Sequence, residues 1–150
     1  MVWVFGRLTT DEVKEYVSAK YQLLKEYAES EGIFKELGVY FGNGMPHNVE
    51  GWYVYSDRCG YHYVCTEKGN ITSHQITDDL FDLSYWIFKG QIWVMASEYA
   101  TKHKIGGQDF RRVYFAKELD LMALMGDNYR KRHEIAIDEI LKNHPYNDAP

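Results

Sequence analysis

Thr77–Arg112 reads TDDLFDLSYWIFKGQIWVMASEYATKHKIGGQDFRR, and its pattern decides the fold class. Leu80, Phe81, Leu83, Tyr85, Trp86, Ile87 and Phe88 are apolar nearly all round, which predicts a buried helix. Asp78 and Asp79 open it, as acids in a first turn complement the helix dipole. Gly90 is expected to break it. Ile92, Met95, Ala96 and Tyr99 then resume a clean helical face, with Trp93 and Ala100 beside it, until Gly106-Gly107. Asp109 is placed to cap a further helix carrying Phe110, Val113, Tyr114, Phe115, Leu119 and Leu121. Gly126 fits that helix's C-terminus and Asp127 the next N-cap. A last helix carries Ile135, Ile137, Ile140 and Leu141 and stops before Pro145.

Upstream the period changes from helix to strand. Trp52-Tyr53-Val54-Tyr55, Tyr61–Thr66 and a more polar third stretch, Ile71–Thr77, are separated by the turn signals Asp57–Gly60 and Lys68-Gly69-Asn70. Both faces of this meander carry rings, so one face is expected on helices and one partly wet. Farther upstream, Thr9 and Glu12 form a capping box, with Leu8 and Val13 at staple positions. Val13, Tyr16, Val17, Leu24 and Tyr27 follow helical spacing, and Gly32 stops that helix. The loop Gly42–Pro46 divides the chain into an N-terminal helical appendage, residues 1–44, and a core, residues 45–150, within one domain. One block of strands amid helices, without βαβ alternation, predicts an α+β fold. Its expected form is a three-stranded antiparallel meander packed against a bundle of about four to five helices.

The chain has 150 residues, 45% hydrophobic and 26% charged, a globular composition. Its net charge of −5 disfavours nonspecific nucleic-acid binding, which rests on neutralising phosphates with cations. Thirteen tyrosines suit half-wet sheet faces and recognition surfaces. Cys59 and Cys65, the two cysteines, read as free thiols of a reducing compartment. The start has no basic n-region and no apolar run is long enough for a membrane span, so a cytoplasmic protein is expected.

Six histidines invite a metal reading, yet none forms a His-x-x-x-His pair and no cysteine stands at finger spacing. His62 and His74 can face each other across the meander. There is no nucleophile elbow, phosphate loop or dinucleotide fingerprint. Asp109, Arg111 and Arg112 form the most distinctive polar group. As a catalytic site they would be a carboxylate with two guanidinium groups. As structure, Asp109 caps a helix while the arginines tie helices together through carboxylates such as Asp82 or Glu98. The structural reading is the commoner one. Trp86 and Phe110 are expected in the core.

Several strings lie in the order found in one known family. They are Gly60–Gly69, Asp79-Leu80 through Tyr85–Phe88, Met95–Tyr99, Gln108–Arg112 with Phe115, and Glu139–Tyr146. From about Gly51 onward the chain resembles the immunity protein 63 family of bacterial polymorphic-toxin systems. The resemblance implies a protein that neutralises a cognate bacterial toxin domain by binding it, with no catalysis and no cofactor. The net charge and the lack of a long apolar run give the expectation of no direct nucleic acid and no membrane as partner. Charge adds a finer expectation. An acid-rich meander and helix entry suit a basic toxin, such as a nuclease. The candidate contacts are Asp57, Glu67, Asp78, Asp79 and Asp82, with Tyr53 and Tyr61 as exposed anchors. Two other readings stay open: a small hydrolase using Asp109, Arg111 and Arg112 with a histidine, or a structural subunit.

Overall fold

A computed structural model describes residues 6–149. Among these, the fold is α+β, with four helices and one four-stranded mixed sheet. The strands are β1 (Val39–Phe41), β2 (Gly51–Ser56), β3 (Tyr61–Glu67) and β4 (Asn70–Thr77), in that spatial order. The helices are α1 (Thr10–Ser30), α2 (Leu80–Lys102), α3 (Phe110–Met125) and α4 (Asp127–Asn143).

The expected meander is β2, β3 and β4, antiparallel throughout. Its second turn is tight: Glu67 pairs with Asn70, and both Lys68 (φ 52°) and Gly69 (φ 80°) are left-handed. That is the two-residue geometry matching strand twist. The sheet also has a strand that the sequence pattern did not announce. β1 runs parallel to β2, Val39 opposite Trp52 and Phe41 opposite Val54. Three residues are too few for a visible alternation.

The chain packs as two compact units. The sheet unit comprises residues 1–20 and 36–88, and the helical unit residues 21–35 and 89–150. α1 and α2 each contribute residues to both. In the sheet unit, one face carries Trp52, Tyr63 and Trp86 as a ladder of rings. Trp52 and Tyr63 stack at 4.3 Å, and Tyr63 and Trp86 at 6.4 Å. Burial raises the Tyr63 hydroxyl well above its usual range. The other face holds Tyr53, Tyr55 and Val64, with Val49 against them. Over β2 this face is covered, because the connection after β1 crosses it; over β4 it stays partly wet, with His74 and Ile76 exposed. A side-chain carbon at Gly42 would lie 2.0 Å from the Tyr53 hydroxyl. Only a glycine lets the backbone pass there.

Helix ends follow local chemistry. Thr9 and Glu12 form the reciprocal box: the Thr9 N–H donates to the Glu12 carboxylate at 3.0 Å, and the Glu12 N–H donates to Thr9 Oγ1 at 3.3 Å. α1 ends in a Schellman motif, the Ile33 N–H on the Ala28 carbonyl and the Gly32 N–H on that of Glu29, with Gly32 at φ 68°. Gly90 does not break α2. An interior glycine costs about 1 kcal/mol, and the buried Ile87, Phe88 and Ile92 around it keep the helix continuous. In the helical unit, Ala96, Ala100, Tyr114, Phe115 and Ile137 form one apolar cluster.

Candidate functional site

Strand register gathers most of the candidate acids. Ser56, Tyr61 and Thr77 lie abreast across β2, β3 and β4. Asp57, Asp78 and Asp79, and Asp82 one turn into α2, therefore belong to one end of the sheet. Glu67 belongs to the other end, where it pairs with Asn70. The four gathered acids are not equally free. Asp57 accepts from the N–H groups of Cys59 at 2.8 Å and Gly60 at 3.2 Å, and faces His62 Nε2 at 2.8 Å. Burial would raise its carboxyl; the His62 bond and the two amides outweigh that and hold it below the usual range. Asp82 accepts from Thr77 Oγ1 at 2.9 Å. Asp79 caps α2, accepting from the Phe81 N–H at 2.9 Å. Asp78 pairs with Arg7 yet keeps its side chain 79% exposed. Arg7 also donates to the carbonyls of Asp57 and Arg58.

The tyrosine anchors are corrected. Tyr53 is 7% exposed and Tyr61 only 2%. The chain at Gly42 covers Tyr53, and the Tyr61 hydroxyl accepts from the Leu8 N–H at 2.8 Å. Segment 7–10 is further tied down by Ser56, whose Oγ donates to the Leu8 carbonyl and whose N–H donates to Thr10 Oγ1. These rings hold the sheet unit together and offer little surface to a partner.

His62 and His74 do meet, ring nitrogens 2.8 Å apart. His62 is 4% exposed and stacks on Tyr55 at 4.1 Å. Among the described residues, no group of three or more His, Cys, Asp or Glu is arranged to hold a metal.

The Asp109 group lies in the helical unit and is bound up in structure. Asp109 caps α3 through the Arg111 N–H at 2.9 Å. Its Oδ2 accepts from Arg111 Nη2 at 2.9 Å and from the Asn147 N–H at 2.8 Å. Arg111 donates to the carbonyls of His144 and Pro145 at 2.7 and 2.8 Å. Arg112 chelates Asp148, both oxygens at 3.1 Å, and lies over the Tyr146 ring at 4.0 Å. Arg111 is partly buried and Arg112 is exposed. Their ion-pair partners are Asp109 and Asp148 rather than Asp82 or Glu98. The Arg111 bonds, then the Asn147 amide, hold the Asp109 carboxyl far below the usual range. An acid so stabilised is a poor proton acceptor at neutral pH. Phe110 is corrected too. It is 42% exposed, because the first turn of α3 turns it outward beside Tyr114 at 6.0 Å. Trp86 is only half-buried, one side on Tyr63.

A sequence model of one family, Immunity protein 63, matches residues 56–139, more than half of the chain. The chain belongs to the immunity protein 63 family. Membership implies an immunity protein, one that acts against a toxin. No curated protein and no solved structure matches the chain. The family match runs from the last residue of β2 into α4, so it spans the acid end of the sheet and Asp109, Arg111 and Arg112, and ends before the segment they hold.

Charge divides unevenly in this immunity protein. The sheet unit holds five Lys and Arg against ten Asp and Glu; the helical unit holds twelve of each. The whole net charge of −5 thus resides in the sheet unit. No helix among the described residues is long and apolar enough to cross a membrane.

Sequence reading missed two buried polar sites in the helical unit. Glu118 and His133 pair at 3.0 Å with side chains 5% and 4% exposed. Burial and Glu118 raise the Tyr114 hydroxyl beside them. Lys117, 4% exposed, places its ammonium 4.0 Å over Tyr99 and 4.6 Å over Tyr27, with Glu31 at 3.5 Å. Lys117 and Glu118 lie outside the apolar positions by which this helix was read, and an apolar pattern carries no signal for a buried charge.

Proposed function

We propose that this immunity protein neutralises a cognate bacterial toxin domain by stoichiometric binding, and that the toxin presents a basic surface such as a nuclease cleft. One observation carries the reading beyond the family: the net negative charge resides in the sheet unit, whose register gathers Asp57, Asp78, Asp79 and Asp82 at one end. A basic cleft that attracts phosphate is attracted by such a surface, which speeds encounter and fixes orientation. Asp78 and Asp79 are the contacts best exposed for this. Asp57 and Asp82 support them while holding His62 and Thr77.

The test is co-expression with a candidate toxin domain taken from the gene's neighbourhood. Wild-type protein restores growth, and purified protein forms a one-to-one complex. Asp78→Lys with Asp79→Lys weakens rescue while the variant remains folded by circular dichroism. Rescue that survives this reversal moves the interface elsewhere. Turnover of a substrate, lost on Asp109→Asn, would replace the binding reading with an enzymatic one.

A further inference from the structure

The two edges of the sheet are built differently. β1 is three residues long, and a short edge offers little to pair with. β4 is eight residues long and lies at the other end of the strand order. Among the described residues it pairs only with β3. Proteins protect such edges with lysine, proline, inward charges or bulges in the edge strand. Asn70–Thr77 reads NITSHQIT and contains no charged residue and no proline. The one irregularity of the ladder falls between Cys65 and Thr66 on β3, leaving Ser73–Thr77 in regular pairing. Ile71 and Ile76 are 48% and 50% exposed.

We propose that the outer edge of β4 is where the cognate toxin docks an extended segment, which joins the sheet as a fifth strand. The proposal rests on the toxin-binding reading above and names how that surface is engaged. An edge strand directs every second N–H and C=O away from its neighbour, so a partner strand gains a row of backbone bonds, with side chains setting specificity. Charge identifies the occupant. β4 is itself neutral, and its C-terminal end runs directly into Asp78 and Asp79. The segment that fits is uncharged and rich in β-branched or aromatic residues over about five positions, with Lys or Arg where it passes those two acids. Docking there is continuous with the acid end of the sheet.

The experiment measures amide hydrogen exchange of the full chain, free and bound to the toxin domain. Expected are fast exchange at alternate residues of 70–77 in the free protein, and slowing by at least about tenfold at those same amides in the complex. Two variants accompany it. Ile71→Thr with Ile76→Thr keeps β-propensity and backbone pairing, and binds within about threefold of wild type. Ile71→Lys with Ile76→Lys adds edge charge that repels a basic segment, and loses at least about tenfold in affinity. A complex that forms and neutralises the toxin with β4 exchange unchanged overturns the strand proposal and leaves the toxin-binding reading standing. Loss of binding in the threonine variant overturns it as well, because contact is then through the isoleucine side chains. Alternate amides already protected in the free chain mean that another part of this chain or a second copy fills the edge, and also overturn it. A chain that binds no toxin domain fails both.

Discussion

His62 and His74 meet ring to ring: His62 Nδ1 lies 2.8 Å from His74 Nε2, within hydrogen-bond distance. On its other side His62 Nε2 meets Asp57 at 2.8 Å. An ionised carboxylate only accepts, so Nε2 carries a hydrogen. The chain Asp57–His62–His74 thus links the β2–β3 turn to the middle of edge strand β4.

The first prediction follows from that chain. His62→Ala removes a buried ring, its Tyr55 stack and two hydrogen bonds, and costs roughly 2–4 kcal/mol by urea denaturation. His74→Ala, at an exposed position, costs less than about 1 kcal/mol. Equal losses would mean that His62 is not the buried member of the pair.

The pH dependence of stability has a defined sign. Asp57 sits below its usual value in the folded state, so its contribution is present above the unfolded carboxylate range, near about pH 4. It is lost as pH falls through the lowered folded value. Asp109 and Asp148 act the same way through their arginine partners. Stability therefore falls as the pH drops below the ordinary carboxylate range. Asp57→Asn flattens that acid limb in part, and Asp57→Asn with Asp109→Asn flattens it further. Unchanged acid limbs in both variants would place the relevant carboxylates elsewhere.

Asp109 also secures the C-terminal segment. It accepts from the Asn147 N–H, while Arg111 and Arg112 hold His144, Pro145 and Asp148. Asp109→Ala should make the stretch after Asn143 the first site of limited proteolysis, cleaved at least about tenfold faster than in wild type. Arg112→Met has a smaller effect of the same kind. Cleavage at wild-type rates in both would show that the clamp does not hold this segment.

These outcomes show which features were legible in sequence. The capping box at Thr9, the Asp109 cap and the three antiparallel strands were, because each is set by residues near one another in the chain. β1 was not, since its partner β2 is reached only through the Gly42–Val49 crossing. That same crossing buries Tyr53, which alternation alone had left facing solvent. Trp86 and Phe110 were placed by apolar composition, which reports burial only on average. Trp86→Ala is expected to cost about 2 kcal/mol, below the about 3–5 kcal/mol of a fully buried ring, and Phe110→Ala less than about 1.5 kcal/mol.

Glu118 and His133 give a prediction that charge counting would miss. The pair is buried and joins α3 to α4. Removing one partner leaves a desolvated polar group, so Glu118→Ala or His133→Ala costs about 3–5 kcal/mol. Replacing both by leucine costs less than either single change, since neither member of the pair is then left facing the other's gap, although the Tyr114 hydroxyl loses its Glu118 bond. A double-mutant cycle with near-zero coupling would show that the two groups do not depend on each other.

The last prediction concerns how the toxin arrives. Asp78 and Asp79 stand at one end of the sheet and Glu67 at the other. Asn is as good an N-cap as Asp, so Asp79→Asn removes charge from α2's entry and keeps its cap. Asp78→Asn keeps a side-chain oxygen for the buried Arg7 but gives up the charge pair, so the double variant should lose about 1–2 kcal/mol and stay folded. Association with the toxin domain, measured by stopped flow at low salt, should slow by about fivefold to tenfold, with dissociation little altered. Raising the salt should shrink the difference between wild type and variant, because exposed charges are screened within about 10 Å at 0.1 M ionic strength. Glu67→Gln is the control for net charge, and should leave the rate within about twofold. If Glu67→Gln slows association as much as the double variant, overall charge is acting and not the Asp78 end. If neither changes the rate and salt has no effect, the toxin is not steered by this surface.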